Sequence, residues 1–214
     1  LTLHISPAVL VPRPESENII EAALDFVVRG GLRNETLRIL DIGTGCGCIA
    51  IACAHSFPAA RVVGTDLSGP ALKLAADNAR RLRVSSRVRF YRADVFPPAR
   101  TGPFDLIVSN PPYVGTREFA QLPREYRHEP ASGLIAGPDG LRVVRRILAL
   151  ARTFLTRAGI LVVEVGNSAD ALAAAYPRLP FLWLEFSRGG GGVFVLSRAE
   201  LERHAGDLAA TDGK

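Results

Sequence analysis

Asn110-Pro111-Pro112-Tyr113 sets an amide, two prolines and an aromatic ring in consecutive positions, directly after the apolar run Phe104 to Val108. Both prolines lack a backbone N–H and hold φ near one value. Each also pushes the residue before it toward extended geometry. The result is a stiff backbone with carbonyls to spare. Such a turn can hold a planar NH2 group: the Asn110 side-chain oxygen and the Pro111 carbonyl accept its two hydrogens, and Tyr113 packs on its flat face. Asn110, Pro111 and Tyr113 are therefore the candidate catalytic residues. Asn110, Pro111, Pro112 and Tyr113 are the candidate acceptor-binding residues. A rigid turn that closes a core strand is the competing reading of the four residues taken alone.

Upstream, Asp41-Ile42-Gly43-Thr44-Gly45-Cys46-Gly47 follows a short apolar segment. Its glycines allow a tight turn and close approach of backbone to a ligand. The spacing is G-x-G-x-G after an acid, not the G-x-G-x-x-G of a dinucleotide site, and no G-x-x-x-x-G-K-[ST] occurs. Asp66 closes a second apolar segment, where a carboxylate can accept both hydroxyls of a ribose. Asp94 closes a third, where it can accept from an adenine amino group. Three acids at three consecutive strand ends suit a nucleoside that carries positive charge. They suit a pyrophosphate poorly, because like charges repel. The candidate cofactor-binding residues are Asp41, Gly43, Thr44, Gly45, Cys46, Gly47, Asp66 with Leu67, Asp94 with Val95, and Asn110.

The elements that must position these groups follow from periodicity. Leu10 to Glu17 is a proline-punctuated loop, with Ser16 as N-cap of a helix that carries Ile19, Ile20, Ala23, Leu24 and Val27 and ends at Gly30-Gly31. Strands are expected over 37–42, 61–67, 88–93, 104–109 and 159–165. Helices are expected over 48–57, 70–82, 139–155 and 168–176. Two further strands, 181–186 and 192–196, flank a Gly-rich turn from Arg188 to Gly191 and must pair antiparallel. Alternation of strand and helix predicts an α/β fold with a doubly wound, mostly parallel sheet of seven strands, ending in an antiparallel hairpin. Residues 1–36 are expected to form a leading loop and helix, 37–197 the main domain, and 198–214 a polar C-terminal tail made of a short helix and a frayed end.

Length and composition fit one globular domain: 214 residues, 48% hydrophobic and 22% charged. No apolar run reaches transmembrane length and no leader pattern occurs, so a soluble cytoplasmic protein is expected, with no membrane partner. The chain begins at Leu1 and contains no Met, which reads as a piece lacking an upstream segment. Cys46, Cys48 and Cys53 lie within eight residues. An odd count argues against a disulfide framework. No second Cys or His pair stands at zinc spacing, so packing is expected of them and no metal. Net charge is +5, and only Lys73 and Lys214 among 26 positive residues are Lys. The densest run, Arg80, Arg81, Arg83, Arg87, Arg89 and Arg92, is either a solvated face or a surface close to RNA.

On these residues the chain resembles the class I S-adenosylmethionine-dependent methyltransferases. Asp41 to Gly47 matches their first motif, Asp66 their ribose-binding acid, and Asn110 to Tyr113 the motif of amino methyltransferases. The resemblance implies a Rossmann-like fold, S-adenosylmethionine as cofactor, and an NH2 acceptor. Leu10 to Glu17, and Glu129-Pro130 with Gly137-Pro138-Asp139-Gly140-Leu141, are similar to segments of the protein-(glutamine-N5) methyltransferases. One branch of that family modifies the GGQ glutamine of class 1 release factors, the other a glutamine of large-subunit ribosomal protein L3. Glu125 to Pro130, Glu164 to Ser168, and Trp183 to Phe186 with Val193-Phe194 resemble the ribosomal-protein branch. Pro14 to Glu17 stands closer to the release-factor branch. The resemblance thus implies a protein substrate from the translation machinery.

A primary amide is a weak nucleophile, because its nitrogen lone pair is delocalised. Asn110 and Pro111 are expected to orient the amide and stabilise the charge that develops on nitrogen, which is selective binding of the transition state. His128 is either a proton acceptor or a structural residue of a polar loop, and Arg13 either caps the donor pocket or lies on the surface. Two rival readings stand beside this one. An adenine-N6 methyltransferase on DNA or RNA would use the same four residues, but base flipping calls for more nucleic-acid surface than the short 116–139 loop offers. A non-catalytic nucleoside-binding module would have no need of an acceptor clamp.

Overall fold

A computed structural model describes residues 1–13, 16–29, 36–123, 129–186 and 190–209. Strands β1 (Arg38–Ile42), β2 (Arg61–Asp66), β3 (Val88–Arg92), β4 (Phe104–Ser109), β5 (Leu155–Glu164), β6 (Leu182–Leu184) and β7 (Val193–Ser197) form one sheet. Their spatial order is β3-β2-β1-β4-β5-β7-β6. The first five run parallel, and β7 pairs antiparallel with both β5 and β6. The expected seven-stranded, mostly parallel sheet with an antiparallel C-terminal pair is what the chain forms.

Helices α1 (Ser16–Arg29), α2 (Cys48–Ser56), α3 (Gly69–Arg81), α4 (Thr116–Phe119), α5 (Ala131–Leu134), α6 (Arg142–Phe154), α7 (Ala169–Ala175), α8 (Arg198–Arg203) and α9 (Ala205–Ala209) complete the described elements. One core layer joins Ile19, Ala23 and Val27 of α1 to Ile51 and Ala54 of α2 and to Ile39, Val62 and Leu106 of the sheet. The other joins Leu40, Ile107 and Leu161 to Ile147 and Leu148 of α6 and to Leu172 of α7. Strands covered on both faces read as continuous apolar runs, which is why β1 and β4 are legible without alternation.

Several boundaries differ from expectation, each for a local reason. Helix α6 begins at Arg142 rather than Asp139. The Asp139 carboxylate accepts from the Leu141 N–H at 3.1 Å and Gly140 sits at φ +76, so the chain turns there before it can coil. Strand β5 starts at Leu155, and its ladder with β4 shifts register between Phe104 and Leu106. Residues 198–209 carry two short helices, where one helix and a frayed end are expected. Ser197 and Glu200 form a capping box that starts α8, and Leu201 and Leu208 are buried in the second core layer. Helix α1 likewise belongs to the main core rather than to a separate lead-in.

Pro14, Glu15, Gly30-Gly31, Glu125 to His128, Arg188 and Gly189 lie outside the described residues, as does the Ser16 side chain expected as an N-cap. Among the described residues no helix is long and apolar enough to cross a membrane.

The chain order reverses between β1 and β4, which are hydrogen-bonded neighbours with Ile42 beside Ser109. In open α/β sheets, ligands bind outside the carboxyl ends of the strands at such a switch point. Asp41 to Gly47 leaves β1 there, and Asn110 to Tyr113 leaves β4.

Candidate active site

The chain leaves β1 through Gly43, Gly45 and Gly47, all at positive φ. The Thr44 N–H donates to the Thr65 carbonyl at 2.8 Å, and the Gly47 N–H to the Thr44 carbonyl at 2.8 Å. A Cβ on Gly47 would lie 3.1 Å from that of Ala75, so the glycine lets α3 approach. A Cβ on Gly45 would meet nothing within 4 Å, and one on Gly43 would come 4.0 Å from the Asn110 carbonyl oxygen. The loop thus faces open space on one side and the Asn-Pro-Pro-Tyr turn on the other.

Asp41 stands behind this loop, fully buried. Its Oδ2 accepts from the Thr44 hydroxyl at 2.6 Å and the Ala50 N–H at 3.1 Å, while Oδ1 is buried without a partner. Burial pushes its pKa up to about 7, the bonds from Thr44 and Ala50 pull the other way, and the charge on Asp66 adds to the rise. An orphaned carboxylate oxygen in such a place favours a nearby cation.

Asp66 is held by two backbone donors, Gly45 N–H on Oδ2 at 2.9 Å and Ser68 N–H on Oδ1 at 2.8 Å. A carboxylate offers about four acceptor positions, so each oxygen keeps a lone pair while its orientation is set. Ser68 in turn caps α3 by accepting from the Ala71 N–H at 3.2 Å. Leu67 beside it is largely exposed. Asp94 forms a 2.8 Å ion pair with Arg146 of α6, both half exposed. Val95 follows at φ +72, spanned by a bond from the Phe96 N–H to the Asp94 carbonyl at 3.1 Å. Positive φ is unusual for a β-branched residue. The turn is held by the Thr65 hydroxyl, which donates to the Val95 carbonyl at 2.7 Å.

At the end of β4 the buried Ser109 hydroxyl donates to the Ile42 carbonyl at 2.8 Å and ties the two strand ends together. Pro111 is buried, and Asn110, Pro112 and Tyr113 are half-buried. Two glycines bound Tyr113. A Cβ on Gly166 would fall 2.7 Å from the ring, and a Cβ on Gly140 would fall 2.2 Å from the Tyr113 carbonyl oxygen. That oxygen accepts from the Ser168 hydroxyl at 2.7 Å. Behind the turn, Val114 pairs with the 134–136 segment through bonds to the Leu134 carbonyl and from the Ala136 N–H. The Arg142 N–H donates to the Ala136 carbonyl at 3.0 Å, and Asp139 ties the intervening turn to α6 by an ion pair to Arg145 at 2.7 Å.

The leading residues close over the Gly-rich loop. The buried Asn78 amide bonds both the N–H and the carbonyl of His4 at 2.9 Å, and donates to the Cys46 carbonyl at 3.0 Å. Val9 packs with Cys46 and Ala71. Arg13 forms a 2.7 Å ion pair with the nearly buried Glu129, which joins the leading loop to the Glu129-Pro130 segment. Cys46 and Cys53 are buried packing residues, all three thiols are free, and no cluster able to hold a metal occurs among the described residues.

The carboxyl ends of β1 to β4 thus gather Asp41, the Gly-rich loop, Asp66, Asp94, Val95 and the Asn110 to Tyr113 turn. Asn78, Ser168 and Arg146 are positioning residues that sequence reasoning missed. Asn78 sits in a helix with no motif around it, and Arg146 is one of many arginines. Ser168 did carry a signal, since it ends the Glu164 to Ser168 segment.

A family model described as methyltransferase small domain matches residues 16–123. The ribosomal protein uL3 glutamine methyltransferase of Francisella tularensis is 43% identical over 204 residues, covering 95% of this chain and 64% of that protein. The protein of the same name from Neisseria meningitidis is 47% identical over 200 residues, covering 92% and 64%. This chain therefore spans less than two thirds of those relatives. Among solved structures, the hMettl16 catalytic domain in complex with a MAT2A 3′UTR hairpin has a TM-score of 0.69 at 17% identity, covering 92% of this chain and 76% of that one. A methyltransferase from Pyrococcus furiosus has a TM-score of 0.64 at 19% identity, covering 92% and 88%. Identities of that size speak for the fold alone. By the match over 16–123, the chain belongs to the methyltransferase small domain family.

Proposed function

We propose that this chain is the catalytic part of an S-adenosylmethionine-dependent enzyme that methylates the side-chain amide nitrogen of a glutamine in ribosomal protein uL3. The observation that carries the reading is the Asn110 to Tyr113 turn, an NH2 clamp set beside the Gly-rich loop at the switch point, in a chain 43–47% identical to proteins named for that activity. Three free thiols support a reducing, cytoplasmic setting.

The site suits a cationic nucleoside. Asp41 offers a buried oxygen without a partner, Gly45 faces open space, and Asp66 is oriented by two N–H donors. Asp66 would hold the ribose, Asp94 and Val95 the adenine end, and Gly43 to Gly47 the remainder. Asp94 meets an amino group only if its pair with Arg146 opens or is shared. Once bound, S-adenosylmethionine supplies a methyl group already activated by its sulfonium.

The chain's residues do the rest. The Asn110 side-chain oxygen and the Pro111 carbonyl accept hydrogen bonds from the two amide hydrogens, turn the nitrogen lone pair out of conjugation and stabilise the charge that grows there, and once the methyl group has moved from sulfur to nitrogen one of these protons passes to water. Tyr113, fixed between Gly140 and Gly166, covers the amide plane. Alignment of this kind contributes up to several kcal/mol.

The test is incubation of the protein and a methyl-labelled donor with three acceptors in parallel: uL3, a class 1 release factor and adenine-containing RNA. Label mapped to a uL3 glutamine is the expected result. Label on the release-factor glutamine would move the substrate, and label on adenine would overturn the protein-methyltransferase reading.

A further inference from the structure

Arginine gathers at the other end of the sheet as well. Arg38 of β1 and Arg61 of β2 are direct partners across the ladder, and Arg89 of β3 stands beside Val63 of β2. Side chains alternate along a strand, so Arg38, Arg61, Arg89 and Tyr91 share one face. With Arg87 and Arg100 they line a recess of about 320 Å³ at the amino ends of β1 to β4. None of the described residues lining it is acidic.

Like charges side by side on neighbouring strands repel. Here no carboxylate among the described residues forms an ion pair with any of the five arginines. Neutral groups aim two of them instead. Arg38 donates to the Thr101 carbonyl and lies 5.8 Å from the centre of the Phe104 ring. Arg87 donates to the Phe57 and Ala60 carbonyls at 3.4 Å each. An acid at the start of β4, Asp105, accepts from the Arg38 backbone N–H at 2.9 Å and from the Thr156 hydroxyl at 3.0 Å. Five guanidiniums around one recess, two of them held by neutral groups and none in an ion pair among the described residues, call for an anionic occupant.

Two observations say which. Tyr91 lines the recess, so a ring is available for stacking next to the cations. A second recess of about 540 Å³ shares Arg89 and Tyr91 and adds Lys73 across the edge strand, with Arg80, which is ion-paired to Asp77. The basic path is therefore longer than a single phosphate. Guanidinium forks match phosphate oxygens, and alternating cations and aromatic faces are how single strands are held without base readout.

We infer that the Arg38–Arg61–Arg89 face is a binding groove for single-stranded nucleic acid, separate from the candidate active site and reached over the β3 edge. It takes phosphates on the arginines and a base on Tyr91. It lies a full strand length from the Gly-rich loop, about 15 Å at the usual rise of about 3.3 Å per residue. Occupancy of the two sites is therefore compatible, and the groove would hold the enzyme on RNA while a protein is presented to the Asn110 turn.

The experiment is a binding titration of a labelled 20-nucleotide RNA at several salt concentrations. Five phosphate contacts predict a log–log salt slope of about −3.5, at about −0.7 per contact on a single strand. Arg61→Glu with Arg89→Glu should weaken binding at least about tenfold and flatten the slope by about 1 to 2 units, as loss of two contacts requires. A charge-matched control, Arg157→Glu with Arg203→Glu, alters exposed arginines outside both recesses and should change affinity less than about threefold, as diffuse charge would. Arg61→Ala alone, at an exposed position, serves if the double variant fails to fold, and should weaken RNA binding at least about threefold while S-adenosylhomocysteine binding is unchanged. Equal losses in the two double variants would overturn the groove in favour of bulk charge. No RNA binding, or tighter binding to a poly-glutamate peptide than to RNA, would overturn the nucleic-acid assignment.

Discussion

The ring of Tyr113 lies against the bare backbone of Gly166, so close that a Cβ there would stand 2.7 Å from Cε2. That contact joins the loop after β5 to the turn after β4 and sets where the Tyr113 ring of the proposed acceptor site can be. Gly166 is also at φ +47, a region few side chains favour. Gly166→Ala should therefore cost about 1–3 kcal/mol of stability through overpacking, and displace the ring. The expected kinetic outcome is a kcat lower by at least about tenfold, in keeping with the cost of small misplacements. Donor affinity, read by calorimetry, should stay nearly constant.

Asp41 predicts a pH dependence of stability. Its carboxyl titrates at about 7 in the folded chain, against 3.8 for an aspartate free in water. The folded state thus binds the extra proton between those values, so stability is fully present below about pH 4 and falls as pH rises to about 7. Asp41→Asn keeps an acceptor for Thr44 and Ala50 and removes the titration. Urea unfolding at pH 5, 6, 7 and 8 should show the native protein losing stability relative to this variant as pH rises, with no further divergence above pH 8. A constant difference across that range would contradict the account.

Asp66 should separate donor binding from chemistry. Its oxygens are oriented by Gly45 and Ser68, two residues outside the acceptor turn. Asp66→Ala should weaken S-adenosylhomocysteine binding by at least about tenfold, as loss of a charged hydrogen-bond acceptor does. At saturating donor, kcat should change far less.

Asn78 carries the leading segment. Asn78→Ala deletes three bonds and strands the Cys46 carbonyl, at a cost of about 2–3 kcal/mol for buried polar groups left unmet. Hydrogen exchange should show the His4 amide losing its protection while the β1 and β4 amides keep theirs.

The candidate site was legible as a set of neighbours because its parts depend on residue type and local spacing. The acids at strand ends, the Gly-rich turn and the Asn-Pro-Pro-Tyr turn are all short-range signals, and the doubly wound topology then brings them to one edge. What the sequence did not reveal is long-range. Ser168 meets Tyr113 across 55 positions and Arg146 meets Asp94 across 52, and neither pairing has a local signature. A short helix after Ser197 was legible, but the burial of Leu201 and Leu208 was not, because short helices in a polar, Ala-rich stretch bury few residues each. The late start of α6 followed from Gly140 being needed beside Tyr113, which helix periodicity ignores.

The most direct test of the central claim compares the protein with its Asn110→Ala variant on uL3, reading methylated glutamine by peptide mass spectrometry and donor affinity by calorimetry. The account predicts kcat lower by at least about 100-fold, as for loss of one preorganised polar group, with donor affinity little altered. Near-normal methylation by the variant, or labelling of nucleic acid in place of uL3, would contradict it.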